Sequence, residues 1–165
     1  MKLLHSLAKL CAILAGTLLV FITIMTVTSV LGRDLFGKPI VGDFELSGAV
    51  AGAAVALFMP WCQAQRGNII VDFFTSGASE RAQGIMDRLG VLLLALMMAL
   101  VAWRTTVGGL NAFNTNSGST ILGFPDWVTY AFMVPPLALT AVIAFAQSAL
   151  GFGEAGPEAN PELSI

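Results

Sequence analysis

The sequence predicts an all-α integral membrane protein with four transmembrane helices, an interfacial N-terminal helix and a long, tilted third helix. Two observations carry this prediction. Of the 165 residues, 56% are hydrophobic and only 11% are charged, whereas a soluble domain carries about 25% charged residues. The charges also form short clusters between apolar stretches, and four of these stretches approach the roughly 20 residues that cross a bilayer.

Span one lies between Lys9 and Arg33, where the thiol of Cys11 is the only ionisable side chain. Its apolar run is longer than the roughly 7 to 15 residues of a secretory signal, so we expect it to be retained. The preceding segment, 1–9, has leucines at helical spacing beside basic residues, which predicts an interfacial amphipathic helix. A plain continuation of span one is the alternative.

The first loop, 32–43, contains glycines and a proline that end one helix and allow the next to start. Span two covers 44–64 and carries no charge between Leu46 and Gln65. The connection that follows includes 67–74 (GNIIVDFF), which is strongly apolar for a segment between spans. We therefore expect this segment to contact the membrane or a partner.

Span three has a charge-free core of only 89–103, which is short for a bilayer. It becomes long enough over 86–107 if Arg88 and Arg104 extend to opposite interfaces. A helix that covers 80–107 is predicted here, either strongly tilted or broken at the interface.

The third loop, 108–125, has no charge and is rich in Asn, Ser, Thr and Gly, which predicts an ordered polar or a flexible connection. Pro125 then precedes span four, predicted over 127–152. Trp127 and Tyr130 are expected at headgroup depth as part of an aromatic belt.

Pro135 and Pro136 lie inside span four, where each removes a backbone donor, so the pair is expected to kink or loosen the helix. The residues after this span are rich in Gly, Pro and Glu and predict a disordered acidic tail over 153–165. The chain is thus predicted to be one transmembrane domain, 1–152, followed by that tail.

The distribution of basic residues predicts the orientation, because cationic loops are retained in the cytoplasm. One side of the membrane would carry five basic residues, namely Lys2, Lys9, Arg66, Arg81 and Arg88. The other side would carry three, namely Arg33, Lys38 and Arg104. Both termini are therefore expected in the cytoplasm.

Several functions are disfavoured by what the spans lack. No span has an ionisable side chain at its predicted centre, which argues against an ion-coupled transporter acting alone. A single His, His5, cannot supply two haem ligands, and Cys11 and Cys62 cannot form a CxxC redox pair. We expect no catalytic residues, no metal, no cofactor and no nucleic acid partner.

Small residues recur every four positions in span two, at Gly48, Gly52 and Ala56. Small residues at this spacing allow two helix backbones to approach closely in a membrane. A chance pattern in an Ala- and Gly-rich span is the alternative.

Four polar side chains are candidates for structural contacts or contacts with another subunit. Arg33 and Glu45 bracket the first loop, so they could pair with each other or contact another subunit. Asp72, in the apolar second loop, is expected to be satisfied by a specific donor, with a solvated aspartate as the alternative. Arg104 is expected to extend to the interface opposite Arg88.

Three motifs give the chain a family resemblance. Arg33 ends span one in VLGRDLFGKPI, and Glu45 opens span two in GDFELSG. After span two comes QRGNIIVD over 65–72, similar to R-x-G-H-I-x-V-D but with Asn68 in place of the His. The last motif comprises Ser119, Pro125, Trp127, Tyr130 and Pro135. On these motifs, nearly the whole chain resembles the small, DctQ-type membrane subunits of tripartite ATP-independent periplasmic (TRAP) transporters.

The resemblance implies a non-catalytic scaffold subunit in the bacterial inner membrane. Its partners would be membrane lipid, a large permease subunit that carries the substrate and sodium sites, and a periplasmic protein that delivers the substrate. The solutes would be organic anions with carboxyl groups. A self-contained, homo-oligomeric small transporter or channel is the alternative, supported by the small-residue face of span two.

Overall fold

A computed structural model of the chain describes residues 2–65 and 80–150. Within them are four helices, α1 (Lys2–Phe36), α2 (Asp43–Ala64), α3 (Glu80–Asn114) and α4 (Asp126–Leu150). All four are long and apolar enough to cross a membrane. The predicted all-α class with four transmembrane helices is therefore confirmed. Asn68, Asp72 and the tail 153–165 lie outside the described residues.

The helices are arranged as an open row in the order α1, α2, α4, α3. The α1 helix packs on α2, α2 packs on α4, and α4 packs on α3, whereas α1 meets α4 only slightly. Over the described ranges, α3 makes no close backbone contact with α1 or α2. The two inner helices, α2 and α4, therefore each have two neighbours, and the two outer helices leave one side uncovered.

The first helix has no break between an interfacial lead and span one. It is a single helix of 35 residues, or about 52 Å at 1.5 Å per residue. The lead is held to the second helix, because the rings of His5 and Trp61 lie 4.9 Å apart and Ala8 is fully buried. The separate interfacial helix predicted over 1–9 is replaced by the first turns of α1.

The third helix is unbroken and extends to Asn114, seven residues beyond the end predicted at 107. Gly108 and Gly109, which suggested the start of a loop, instead lie against the ring of Tyr130 in α4. This close packing stabilises a helix that local propensity would have ended, since tertiary contacts commonly override propensity. The connection between α3 and α4 is correspondingly shorter than the predicted loop.

The core consists mainly of alanines. Ala56, Ala102 and Leu137 form a buried cluster shared by α2, α3 and α4, with three methionines packed around it. Larger apolar side chains mostly point outward. This distribution suits a membrane, where small residues let helices approach closely and large apolar residues are stable against lipid.

Candidate functional site

The turn between α1 and α2 is held by a buried hydroxyl group. Ser29 is only 2% exposed, and its Oγ donates to Oδ2 of Asp43 at 2.5 Å. The same oxygen accepts the backbone N–H of Ile40 at 3.1 Å. One side chain of α1 thus connects the loop to the first residue of α2, a role that the sequence analysis did not assign to Ser29 or Asp43.

Glu45 binds the connection between α3 and α4 through its carboxylate. The N–H of Thr120 donates to Oε1 at 3.0 Å, and the N–H of Leu122 donates to Oε2 at 3.2 Å. The N–H of Ile121 lies between them and reaches both oxygens, at 3.1 and 3.2 Å. Three successive amides around one carboxylate form a backbone anion site of the kind called a nest. We call this arrangement the Glu45 clamp.

The loop that supplies these amides has its own internal hydrogen bonds. The N–H of Ser119 donates to the carbonyl of Phe124 at 2.9 Å, and the N–H of Gly123 donates to the carbonyl of Ser119 at 3.1 Å. The Ser119 hydroxyl oxygen also accepts the N–H of Phe124 at 3.1 Å. A β-bridge between Gly118 and Pro125 closes the base of the loop. Ser119 and Pro125 of the family motif therefore shape the loop that Glu45 holds.

A second contact presses the loop onto the start of α2. Gly42 has φ of +78°, and a Cβ added to it would lie 2.3 Å from Cγ of Leu122. A side chain is thus excluded both by backbone conformation and by space. Gly42 and Glu45 together join the two loops at this end of the helix row.

Arg33 does not take part in the clamp. Its Nε lies 3.7 Å from Oδ1 of Asp34, and both side chains are about two-thirds exposed (63% and 66%). The possible pairing of Arg33 with Glu45 is therefore corrected, because Glu45 is occupied by backbone amides instead. Exposed pairs of this kind contribute little stability.

The aromatic residues of α4 pack against α3. The rings of Trp127 and Phe113 meet edge to face, with centroids 5.8 Å apart. A Cβ on Gly109 would lie 2.9 Å from Cβ of Tyr130, so this glycine sets the approach of the two helices. Trp127 and Tyr130 thus act in helix packing, in addition to any role in the predicted aromatic belt.

The α4 helix is continuous through its two prolines. Pro136 is buried and Pro135 is exposed. The Oγ1 of Thr140, which is itself buried, donates to the carbonyl of Pro136 at 2.8 Å. The helix therefore continues through both prolines to Leu150.

The three small residues of α2 have different surroundings. Ala56 lies in the core cluster, and Gly52 lies with its added Cβ 4.0 Å from Cε of Met133. Nothing lies within 4 Å of a Cβ added to Gly48 among the described residues. The face therefore packs against α4 near Ala56 and is open at Gly48.

The opposite end of the row is joined by two buried amides. The Nε2 of Gln63 donates to Oε1 of Gln147 at 2.7 Å, and the Nε2 of Gln147 donates to the carbonyl of Gln63 at 3.1 Å. Polar pairs of this type stabilise contacts between membrane helices. Sequence reasoning missed this pair, although two glutamines at corresponding ends of spans two and four were a usable signal.

Arg104 lies further from the end of its helix than predicted. Because α3 continues to Asn114, Arg104 is ten residues from the end of the helix, or about 15 Å along its axis. Ala102, two residues away, shares the core cluster with Ala56, near the middle of α2. The expectation that no span carries a central ionisable side chain stays a prediction, and Arg104 is the residue that bears on it. Such a charge costs about 2.5 to 3.5 kcal/mol at mid-bilayer on insertion scales.

The polar contacts described above serve packing between helices and loops. Within the residues that the structure describes, no three side chains of His, Cys, Asp or Glu come together as a metal site. The polar contacts instead fix loops and join helices. They form a rigid clamp at one end of the row and an amide pair at the other.

Comparison with curated proteins and with solved structures gives no significant match. A family model matches over residues 22–153, and this range contains the clamp, the amide pair and most of the helix row. The family is described as the DctQ component of tripartite ATP-independent periplasmic transporters. The match covers most of the 165 residues, and the four apolar helices agree with a multi-pass membrane protein. The chain therefore belongs to the DctQ family, the small-subunit component of TRAP transporters.

Proposed function

We propose that this chain is the non-catalytic scaffold subunit of a sodium-coupled TRAP uptake system for organic anions. It would work with a large multi-span permease subunit and a periplasmic substrate-binding protein. It would lie in the bacterial inner membrane with both termini in the cytoplasm. The substrates would be carboxylated solutes, which the large subunit and the binding protein, rather than this chain, would select.

The open row of helices is the observation that supports a scaffold role most directly. A row of four helices has two broad faces and two edges, so it offers much surface to a partner and little enclosed interior. The two grooves described on it are lined almost wholly by apolar side chains, one between α1, α2 and α4 and the other between α3 and α4. Apolar grooves suit helix packing better than the passage of an anion, because an unpaired charge is costly in apolar surroundings.

The clamp also supports a static role. Glu45 connects the start of α2 to residues that lie 75 to 77 positions later in the chain, so the two helix hairpins are tied together at that end. A part that stays still while a transport domain moves needs such cross-connections. The clamp supplies them without using any charge inside the bilayer centre.

Co-purification tests the partnership. The tagged chain would be co-expressed with the large permease subunit of the same transporter and purified in mild detergent. We expect the two to elute as one complex. Recovery of the tagged chain without the large subunit, under conditions where both are folded, would refute the proposed role.

Reconstitution tests the function itself. Liposomes would contain the large subunit, this chain or both, and a panel of labelled carboxylated solutes would be offered with or without the binding protein under an inward sodium gradient. We expect uptake only when all three proteins are present. Uptake by this chain alone would instead support the self-contained transporter or channel.

A further inference from the structure

The outer side of α3 carries an apolar stripe interrupted by one charge. Its buried residues, Ala95, Ala102 and Ala112, all lie on one side of the helix. The opposite side carries exposed residues at helical spacing, which we call the α3 outer stripe: Leu93, Met97, Leu100, Trp103, Arg104 and Val107. Because α3 is the last helix of the row, no described helix covers this stripe.

Arg104 has no partner among the residues that the structure describes. Across the described residues, its guanidinium forms neither an ion pair nor a side-chain hydrogen bond. It lies ten residues inside the C-terminal end of α3, about 15 Å along the axis. An arginine side chain is shorter than that distance and does not bring its charge to the level of Asn114.

Ionisable residues inside membranes almost always face protein or water and pair with another group. Arg104 faces outward two residues from Ala102, which packs at the level of the middle of α2. If α2 spans the bilayer, a charge at that level indicates that another chain covers the outer stripe. We infer that the α3 outer stripe is the docking surface for the large permease subunit, and that Arg104 pairs there with a membrane-embedded carboxylate of that subunit. This inference rests on the function proposed above.

Two other occupants fit the stripe less well. A second copy of this chain, docked through the same face about a two-fold axis along the membrane normal, would place two Arg104 guanidiniums at equal depth. Like charges in a medium of low dielectric repel strongly. A phospholipid phosphate at the level of the C-terminal end of α3 would lie about 15 Å from Arg104 along the helix axis, beyond direct contact.

The test is co-purification of the large permease subunit with variants of the tagged chain. For Arg104→Met we expect at least about a tenfold loss of recovered large subunit, because the partner carboxylate would be left buried and unpaired. Arg104→Lys should retain an intermediate amount. The matched control is Arg88→Met, an exposed arginine on the same helix whose described contact is through its backbone carbonyl, which accepts the Ser148 hydroxyl at 3.3 Å.

A charge swap makes the test independent of folding defects. Arg104→Glu would be combined with single Asp→Arg or Glu→Arg changes in the membrane spans of the large subunit, and we expect one of these to restore recovery. The melting temperature of the isolated Arg104→Met chain should match that of the unaltered chain.

The outcomes separate the two levels of the argument. If the unaltered chain recovers no large subunit, the proposed function itself fails. If the unaltered chain recovers the large subunit and Arg104→Met recovers as much of it, only the docking inference fails. Absence of any rescuing charge swap, or a change in the oligomeric state of the isolated chain, would overturn the ion pair in favour of packing or self-association.

Discussion

At the scale of single residues, two polar side chains satisfy backbone amides of the loops. Ser29 and Glu45 illustrate two ways to do so. The first uses a buried hydroxyl that accepts one bond and donates another, and the second uses a full charge spread over three amides. Both reduce the cost of leaving loop backbone without partners at the membrane boundary.

Loss of the Glu45 carboxylate should release the loop between α3 and α4. In Glu45→Ala we expect faster hydrogen exchange at the amides of Thr120, Ile121 and Leu122, because their acceptors are gone. Exchange measured by mass spectrometry on a peptide over 115–125 would show it. Asp34→Ala, which removes only an exposed ion pair, serves as the control. Equal protection of the loop in both variants would contradict the clamp.

Removal of the Ser29 hydroxyl should weaken the turn between α1 and α2. We expect Ser29→Ala to destabilise the chain by about 1–3 kcal/mol, because the part-buried Asp43 carboxylate and Ile40 N–H lose their partner. Thr28→Ala is the matched control, since the Thr28 hydroxyl bonds only to the carbonyl of Ile24 in its own helix. Unfolding in detergent, followed by tryptophan fluorescence, measures both; a loss for Thr28→Ala as large as that for Ser29→Ala would argue against the assigned role.

At the scale of helices, close approach depends on a few glycines. Gly109 lies where α4 crosses α3, whereas a Cβ at Gly90 would meet nothing within 4 Å in the described part of the chain. The two positions lie in the same helix and differ only in what surrounds them. They therefore allow the packing role of a glycine to be separated from its effect on helix propensity.

Alanine at these two positions should have opposite effects. Gly109→Ala is expected to destabilise the chain by about 1–3 kcal/mol, because its methyl group would force α3 and α4 apart. Gly90→Ala should stabilise it by up to about 1 kcal/mol, the usual difference in helix propensity. Thermal unfolding in one detergent compares them directly. The same sign for both variants would show that Gly109 does not set the spacing.

Helix existence was predictable from the sequence, whereas helix ends were less so. Apolar runs without charge identified all four spans, because few residues other than apolar ones are stable in a bilayer. The predicted end of α3 at 107 was wrong, because Gly108 and Gly109 are residues typical of a turn. They remain helical because they pack against Tyr130 of α4. The lead before span one was misassigned for a similar reason, since its contact with Trp61 is distant in sequence.

The candidate site was predictable only in part. Glu45 was identified as a candidate, but its partners were not. They are the backbone amides of 120–122, and backbone amides are common to nearly all residue types, so the sequence does not distinguish them. The distance of Arg104 from the end of α3 was also predicted wrongly, because it depends on where the helix ends. Such errors share one cause: a sequence gives the identity of a group, whereas its partner and depth depend on the packing of distant elements.

At the scale of the whole molecule, orientation remains a prediction. Both termini are expected in the cytoplasm, so the loop that carries the clamp should face the periplasm. A cysteine introduced at the exposed residue Asn116, after Cys11 and Cys62 are replaced by Ser, should react with a membrane-impermeant maleimide in intact cells. A cysteine at Lys2 should react only after the cells are lysed. The reverse pattern would invert the orientation.

The clamp also constrains how the protein is made. Glu45 leaves the ribosome 75 residues before its first amide partner, an interval of about 4 to 15 s at bacterial rates of synthesis of about 5–20 residues per second. During that interval the Glu45 carboxylate has none of the three amide donors that it binds in the folded chain. The bonds from 120–122 to Glu45 can form only after the second hairpin has been made, so their closure marks a chain in which both hairpins are in place.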